Sequence, residues 1–528
     1  MTVSESYDNI PLAWVGDWAG RRAQLTPKRE AIYDTGCDER FTYEGLNERA
    51  NRLAAHLVDE VGLEPGDVVS FVARNRVELL DLYFACGKTG LILAPLSHRL
   101  AKPELDDLLD RLRPKAFVHE TALAETVDAL SVPASVEATI ALSDEADSDY
   151  DRRIAGAETR EMNRPLAMNT PFLYVHTGGT TATPKICIVT HRQMIWNSFD
   201  LIATGSGGAG MEGRELVTFP FFHVGGWNTV TPIFHLGGSA VLMRDFGPDL
   251  ALELIERERI THFGGVEAMF RFMMNSEKFA DADLSSVAYI NSAGAPCAED
   301  VMEAFWAKGV PMTQSYGLTE AGPSNFIFVP DEASFDKADI ERHADSIGFP
   351  MYHCDAEIVD PDSREPLPQG EIGEIRFRSP HNFEGYLNDP DRTAEAIDDE
   401  RWVYSGDLAK QDEDGFVTIV GRADNVFFSG GENISPEEVE TALARHPAVA
   451  QVGVAGVADE EWGQVGLAAV VLESDQETVD GAALQRFCRE HLAGFKVPKH
   501  VRIVDELPLT GAGKIDRKQI ANLIDEDE

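Results

Sequence analysis

A helical pattern that hands over at once to an apolar strand recurs along this chain, and that alternation restricts the fold more than any other feature. From Thr42 the segment TYEGLNERANRLAAHL sets Leu46, Ala50, Leu53, Ala54 and Leu57 on one helical face, and residues 62–67 lead into the strand VVSFVA. ELLDLYFACGKTG before LILAPL, and LALELIERERI before THFGGV, repeat the unit. The alternation predicts a layered α/β architecture with substantial parallel sheet. At 528 residues and 43% hydrophobic content the chain exceeds what one core supports, so at least two folding units are expected. The boundary is placed at GRADN (421–425), giving a large N-terminal domain, 1–423, with sheets flanked by helices, and a small α+β domain, 424–528. In the latter, Ser435 suits a helix cap, Pro436 the first helical position and Glu438 a capping box; Val439 and Leu443 share a face, and Pro447 ends the helix. VAQVGVAGV and GLAAVVL read as strands and ALQRFCREHL as a helix, while the acidic stretches 143–151 and 331–345 read as solvated loops.

Against 46 Lys and Arg stand 90 Asp and Glu, a formal net charge of -44, which repels nucleic acid and anionic membranes alike. The acid is scattered rather than gathered in a tail, a solvated acidic surface of the kind suited to high salt. The six cysteines are far apart with no C-x-x-C pair, so neither a zinc site nor a disulfide framework is expected. MTVSESYDNI lacks the regions of a signal peptide, and no apolar run approaches the roughly 18 residues that span a bilayer. These features predict a soluble, cytoplasmic protein with no transmembrane segment; homodimerisation is left open.

In YVHTGGTTATPK an apolar strand precedes glycines, hydroxyls and one lysine. Gly178 and Gly179 let backbone N–H groups approach an anion, Thr177, Thr180 and Thr181 add hydroxyl donors, and Lys185 supplies a compact positive charge. Pro184 and the following strand KICIVTH exclude a Walker loop, which needs glycine and a helix there. A flexible glycine-rich turn is the plain alternative for this segment alone.

With HTGGTTATPK, the strings FPFFHVGG, SAGAP, QSYGLTE, WVYSGD, GRADNVFFSGGENISPEEVE and LPLTGAGKIDR follow in order, and together they resemble the acyl-adenylate-forming superfamily of acyl- and aryl-CoA ligases, luciferases and peptide-synthetase adenylation domains. The resemblance covers nearly the whole chain and is strongest to fatty-acid–CoA ligases; Ala182 departs from it where the family's loop carries glycine. It implies ATP, Mg2+ and coenzyme A, with a small-molecule carboxylic acid as partner. By that resemblance the phosphate loop holds the β- and γ-phosphates, Tyr316 stacks on adenine, Thr319 donates toward the α-phosphate and Glu320 contacts Mg2+, a hard cation that takes carboxylate oxygen. Gly294, Ala295 and Pro296 form the adenine-side wall, and Asp407 with Arg422 binds the ribose hydroxyls. Lys514 is the catalytic lysine, neutralising two anions that must meet. Asp424 is the hinge of a mobile C-terminal domain, and the loop with Gly430 and Gly431 lines the pantetheine tunnel. His223 is a gate, with a satisfied core histidine as the plain reading. Trp462, Phe495 and Lys496 receive the adenosine end of coenzyme A. A protein of net charge -44 that binds two polyanions should concentrate cations at its site, and Lys185, Arg422, Lys496, Lys514 and Arg517 are the candidates.

The acid pocket of such enzymes would here present Trp227, Val266, Met269, Phe270 and Ala321, apolar groups with no basic residue awaiting a second carboxylate. A medium or long fatty acid is the first choice and an aryl acid the second. The rivals are an adenylating enzyme that loads a carrier protein and, outside enzymes, a nucleotide sensor of the same fold.

Overall fold

The computed structural model describes residues 7–145, 147–177, 184–205, 210–329, 337–423, 425–429, 432–459, 462–473, 479–492, 494–510 and 514–524. Packing divides the chain into two compact units, 1–356 with 377–403, and 357–376 with 404–528, and each is described by itself.

The first unit is built from the predicted alternation. Thr42 caps the helix Tyr43–Ala55 by accepting from Gly45 N–H, and Leu46, Ala50, Leu53 and Ala54 on its inner face are buried, as is Leu57 in the π-helical turn His56–Glu60 that continues it. The strand Val68–Val72, the helix Val77–Thr89 and the strand Ile92–Leu96 follow as expected. A six-stranded sheet runs Ala138–Leu142, Ala116–Glu120, Val68–Val72, Ile92–Leu96, Pro171–Thr177 and Lys185–Thr190, parallel except for the last pair. A nine-stranded sheet has a parallel centre in which Met312–Tyr316, Tyr289–Ser292, His262–Gly265 and Arg214–Val217 are successive neighbours. An aromatic core lies here: the ring of Trp227, on the helix Val224–Leu236, stacks on Phe221 at 4.5 Å and on Tyr83 of the helix Val77–Thr89 at 4.6 Å.

The second unit holds the greater part of a four-stranded sheet that ends in the antiparallel pair Val403–Gln411 and Val417–Arg422. Beyond it, the long antiparallel strands Val449–Asp459 and Gly463–Leu472 carry the helices Pro436–Ala444 and Gly481–His491 over one core, in which Val439, Leu443, Leu484 and Cys488 are buried. The helix Arg517–Asn522 covers a second core through Ile520.

Three local expectations are corrected. No capping box forms at Ser435, because its one hydroxyl proton is taken between Val420 C=O at 2.7 Å and Glu437 Oε2 at 2.8 Å, while Glu438 binds Lys496. The stretch 143–151 is not wholly loop: Ser148 caps the helix Asp149–Gly156, and Tyr150 is buried with its hydroxyl donating to Asp81. The stretch 331–345 contains the helix Lys337–Arg342, and its first six residues lie outside the described ones. All six cysteines are free, and no helix of the described residues is long and apolar enough to cross a membrane.

Candidate active site

In the first unit the expected residues come together at the carboxyl ends of neighbouring parallel strands, where ligands bind α/β sheets. Val266 follows His262–Gly265, Gly294, Ala295 and Pro296 follow Tyr289–Ser292, and Tyr316 ends Met312–Tyr316. Gly294 has φ +82°, the left-handed region that favours glycine, and the small residues around it are exposed. His223 stands at the same end, before the helix Val224–Leu236. It is exposed, so the satisfied-core reading does not apply. It lies near the buried His176, whose ring burial and the His223 charge hold down to about 4.

Glu320 sits on the single turn Thr319–Ala321, and that turn is fixed through its carbonyl groups. Thr319 C=O accepts from Gln193 Nε2 at 2.7 Å, Glu320 C=O from Phe383 N–H at 2.9 Å, and Ala321 C=O from Asn325 Nδ2 at 2.7 Å. His381 Nδ1 reaches the same Ala321 oxygen at 2.7 Å, and its Nε2 lies 3.0 Å from Asp200 Oδ2, both side chains being fully buried. Burial drives the Asp200 carboxyl upward, but its bonds to His381 and His353 outweigh that and hold it below the usual carboxylate range.

The Glu320 carboxylate accepts a 2.7 Å bond from the Tyr386 hydroxyl, which is also 3.4 Å from Lys185 Nζ. Lys185 faces the Tyr386 ring at 4.8 Å, so phenol, carboxylate and ammonium form one cluster. Burial and then the Glu320 charge push the Tyr386 phenol well above its usual value, which keeps it a neutral donor. Thr177 and Lys185 are cross-strand partners flanking residues 178–183, so Gly178, Gly179, Thr180 and Thr181 lie outside the described residues.

In the second unit Asp407 and Arg422 are register partners on adjacent strands, and Arg422 Nη1 donates to Asp407 Oδ1 at 3.0 Å and to Ser405 C=O at 3.1 Å. Lys514 is exposed, and its C=O accepts from Thr510 N–H at 2.7 Å. Trp462 and Phe495 are exposed. Asp424, Gly430 and Gly431 lie outside the described residues.

The acid-pocket and charge expectations need correction. Trp227 and Phe270 are fully buried, Trp227 in the aromatic core and Phe270 against Phe263 and Phe305, and Ala321 has no exposed surface either, whereas Val266 and Met269 keep some. Lys496 is held by both oxygens of Glu438, at 2.6 and 2.7 Å, and Arg517 by Glu437 and Glu440, at 2.8 and 2.9 Å. With Arg422 paired to Asp407, three of the cations expected to face polyanions are thus already neutralised. Tyr386, Gln193 and His381 escaped the sequence reading: each is far in sequence from the group it serves, and only the fold brings them together.

A family profile described as "AMP-binding enzyme" matches residues 20–387, and one described as "AMP-binding enzyme C-terminal domain" matches residues 438–514. The chain belongs to the AMP-binding enzyme family. A feruloyl-CoA synthase of an Amycolatopsis species is 34% identical to it over 96% of this chain and 98% of its own. An indoleacetate–CoA ligase of Aromatoleum aromaticum is 32% identical over 97% of this chain and 98% of its own. The ATP-bound MatB of Rhodopseudomonas palustris shares the fold at a TM-score of 0.86 and 25% identity, over 97% of this chain and 99% of that one. The expected α/β fold, with a large N-terminal and a small C-terminal domain, and an enzyme of the acyl-CoA synthetase kind are both met; ATP and coenzyme A are used by this family.

Proposed function

We propose that this enzyme activates a hydrophobic aromatic carboxylic acid with ATP, releasing pyrophosphate, and transfers the acyl group from the adenylate to coenzyme A. The observation that carries this reading is the Lys185–Tyr386–Glu320 cluster beside the strand ends, which sets a cation and a carboxylate next to the Thr177–Lys185 turn. Lys185 neutralises phosphate charge, Tyr316 stacks on the base, Thr319 donates toward the α-phosphate, and Asp407 with Arg422 takes the ribose hydroxyls. By the resemblance, Glu320 would hold a Mg2+, a hard cation that takes carboxylate oxygen. Such an ion would withdraw charge from the phosphate oxygens. Lys514 screens the acid's carboxylate from the α-phosphate during attack.

In the second half-reaction His223 gates the thiol's approach, the exposed Trp462 and Phe495 receive the adenosine end of coenzyme A, and residues 424–528 move about Asp424. Lys496 joins them only by exchanging Glu438 for phosphate. The aromatic preference draws support from the feruloyl- and indoleacetate-activating relatives. A medium or long fatty acid is the second reading, favoured by the likeness of FFHVGGWNTV to fatty-acid ligases. Pyrophosphate release with arylpropenoic, arylacetic and straight-chain acids, with Mg2+ and free coenzyme A, tests the choice. Aromatic acids should turn over fastest; turnover of straight chains alone would replace the first reading by the second.

A further inference from the structure

Lys514 immediately precedes Ile515, which is bridged to Leu509, and the helix Arg517–Asn522 begins two residues after Ile515. Two kinds of anchor hold this segment. The first is apolar: Ile515 and Ile520 pack against the backbone of Gly453, where an added Cβ would stand 2.6 Å from Ile520 Cδ1 and 3.0 Å from Ile515 Cγ2. The second is ionic and largely shielded from water. Arg517 Nη2 donates to Glu437 Oε1 at 2.8 Å and to Glu440 Oε2 at 2.9 Å, with side-chain exposures of 19% for Arg517, 22% for Glu437 and 13% for Glu440.

Glu437 does more than pair with Arg517. Its Oε1 also accepts from Asn425 Nδ2 at 2.7 Å, and its Oε2 from Ser435 Oγ at 2.8 Å. Ser435 Oγ in turn lies 2.7 Å from Val420 C=O. Gly421, at φ +150°, leaves room for this cluster, since a Cβ there would fall 2.2 Å from Ser435 Oγ and 2.7 Å from Glu437 Oε2. One carboxylate therefore links Asn425 and, through Ser435, Val420 to Arg517, three residues after Lys514.

We propose that Arg517 is a positioning residue for Lys514, and that Glu437 couples Lys514 to Val420 and Asn425 through it. The proposal rests on the adenylation role assigned to Lys514 above. A guanidinium presents planar, directed donors that an ammonium cannot copy, so Arg517→Lys should recover only part of the function. If Arg517 serves Lys514 rather than the fold, its loss should slow the half-reaction that uses Lys514 and spare the other.

The test measures both half-reactions in the full-length enzyme: pyrophosphate release from ATP and the best acid, and thioester formation from that acid's supplied adenylate. Arg517→Gln and Glu437→Gln should each lower the first on the order of tenfold and leave the second within about twofold, and the double variant should be no slower than either single one, as expected of one shared interaction. Hydrogen exchange should quicken in residues 514–517 while the strand Val449–Asp459 keeps its protection. Equal loss of both half-reactions with deprotection of that strand, or unchanged pyrophosphate release, overturns the proposal. Lys514→Ala serves as the control: if it fails to separate the half-reactions, the role of Lys514 is wrong, and the coupling between Glu437 and Arg517 is then decided by exchange, where additive effects would overturn it.

Discussion

Tyr386→Phe isolates one atom of the proposed nucleotide site. The substitution removes the hydroxyl that donates to Glu320 at 2.7 Å and keeps the ring over which Lys185 stands at 4.8 Å, so neither a cavity nor a charge change accompanies it. The lost bond joins a neutral donor to a carboxylate, an interaction that contributes roughly 1.5–3 kcal/mol to a folded protein. Tyr386 is buried but Glu320 is partly exposed, so water can replace part of the bond on the carboxylate side and the lower half of that range applies. At about 1.4 kcal/mol per factor of ten, a loss of roughly 1.5–2 kcal/mol predicts a fall in kcat/KM for ATP of about 10- to 30-fold. Steady-state pyrophosphate release at limiting ATP, repeated across Mg2+ concentrations, reads it, and the apparent Mg2+ requirement should rise in the variant. A kcat/KM within about threefold of the parent, with an unaltered Mg2+ response, refutes the reasoning, since the hydroxyl would then not be holding a carboxylate that the reaction uses.

Burial pushes Glu440 up to about 7 against the pull of Arg517 and of the Val454 N–H. Because this folded value stands above the ordinary 4.5, its stabilising contribution is present below pH 4.5 and is lost as pH climbs through 7, by up to roughly 3 kcal/mol at 1.36 kcal/mol per unit. Denaturant unfolding at pH 5 and pH 8, read by exchange in the strand Val449–Asp459, should show that loss in the parent and a flat response in Glu440→Gln; equal slopes would remove the assignment. The net charge of -44 predicts a melting temperature that rises with salt, as the screening length shrinks from about 10 Å at 0.1 M to about 3 Å at 1 M, and a melting temperature indifferent to salt contradicts it.

What the chain announced in advance was local. The face from Leu46 to Leu57 and the strand Val68–Val72 follow from short-range periodicity, and they form as read. Strand-end residues such as Gly294 and Tyr316 could be placed because a motif and the turn that presents it are contiguous. Side-chain pairing across the fold was not legible. Glu438 had the spacing of a capping box, yet the ammonium of Lys496, 58 residues away, claims it. Trp227 had the composition of a pocket wall, but Tyr83 and Phe221 enclose it on both faces. His381 and Tyr386 become visible only when the segment 377–403 packs against the Thr319–Ala321 turn.

The central claim is that Lys514 brings two anions together in the first half-reaction and stands aside in the second. Rapid-quench measurement of both half-reactions in Lys514→Ala addresses it most directly. Adenylate formation should fall on the order of a hundredfold or more, with thioester formation from supplied adenylate within a few-fold of the parent. A variant that still forms adenylate at the parental rate, or one that loses both reactions alike, would contradict the account.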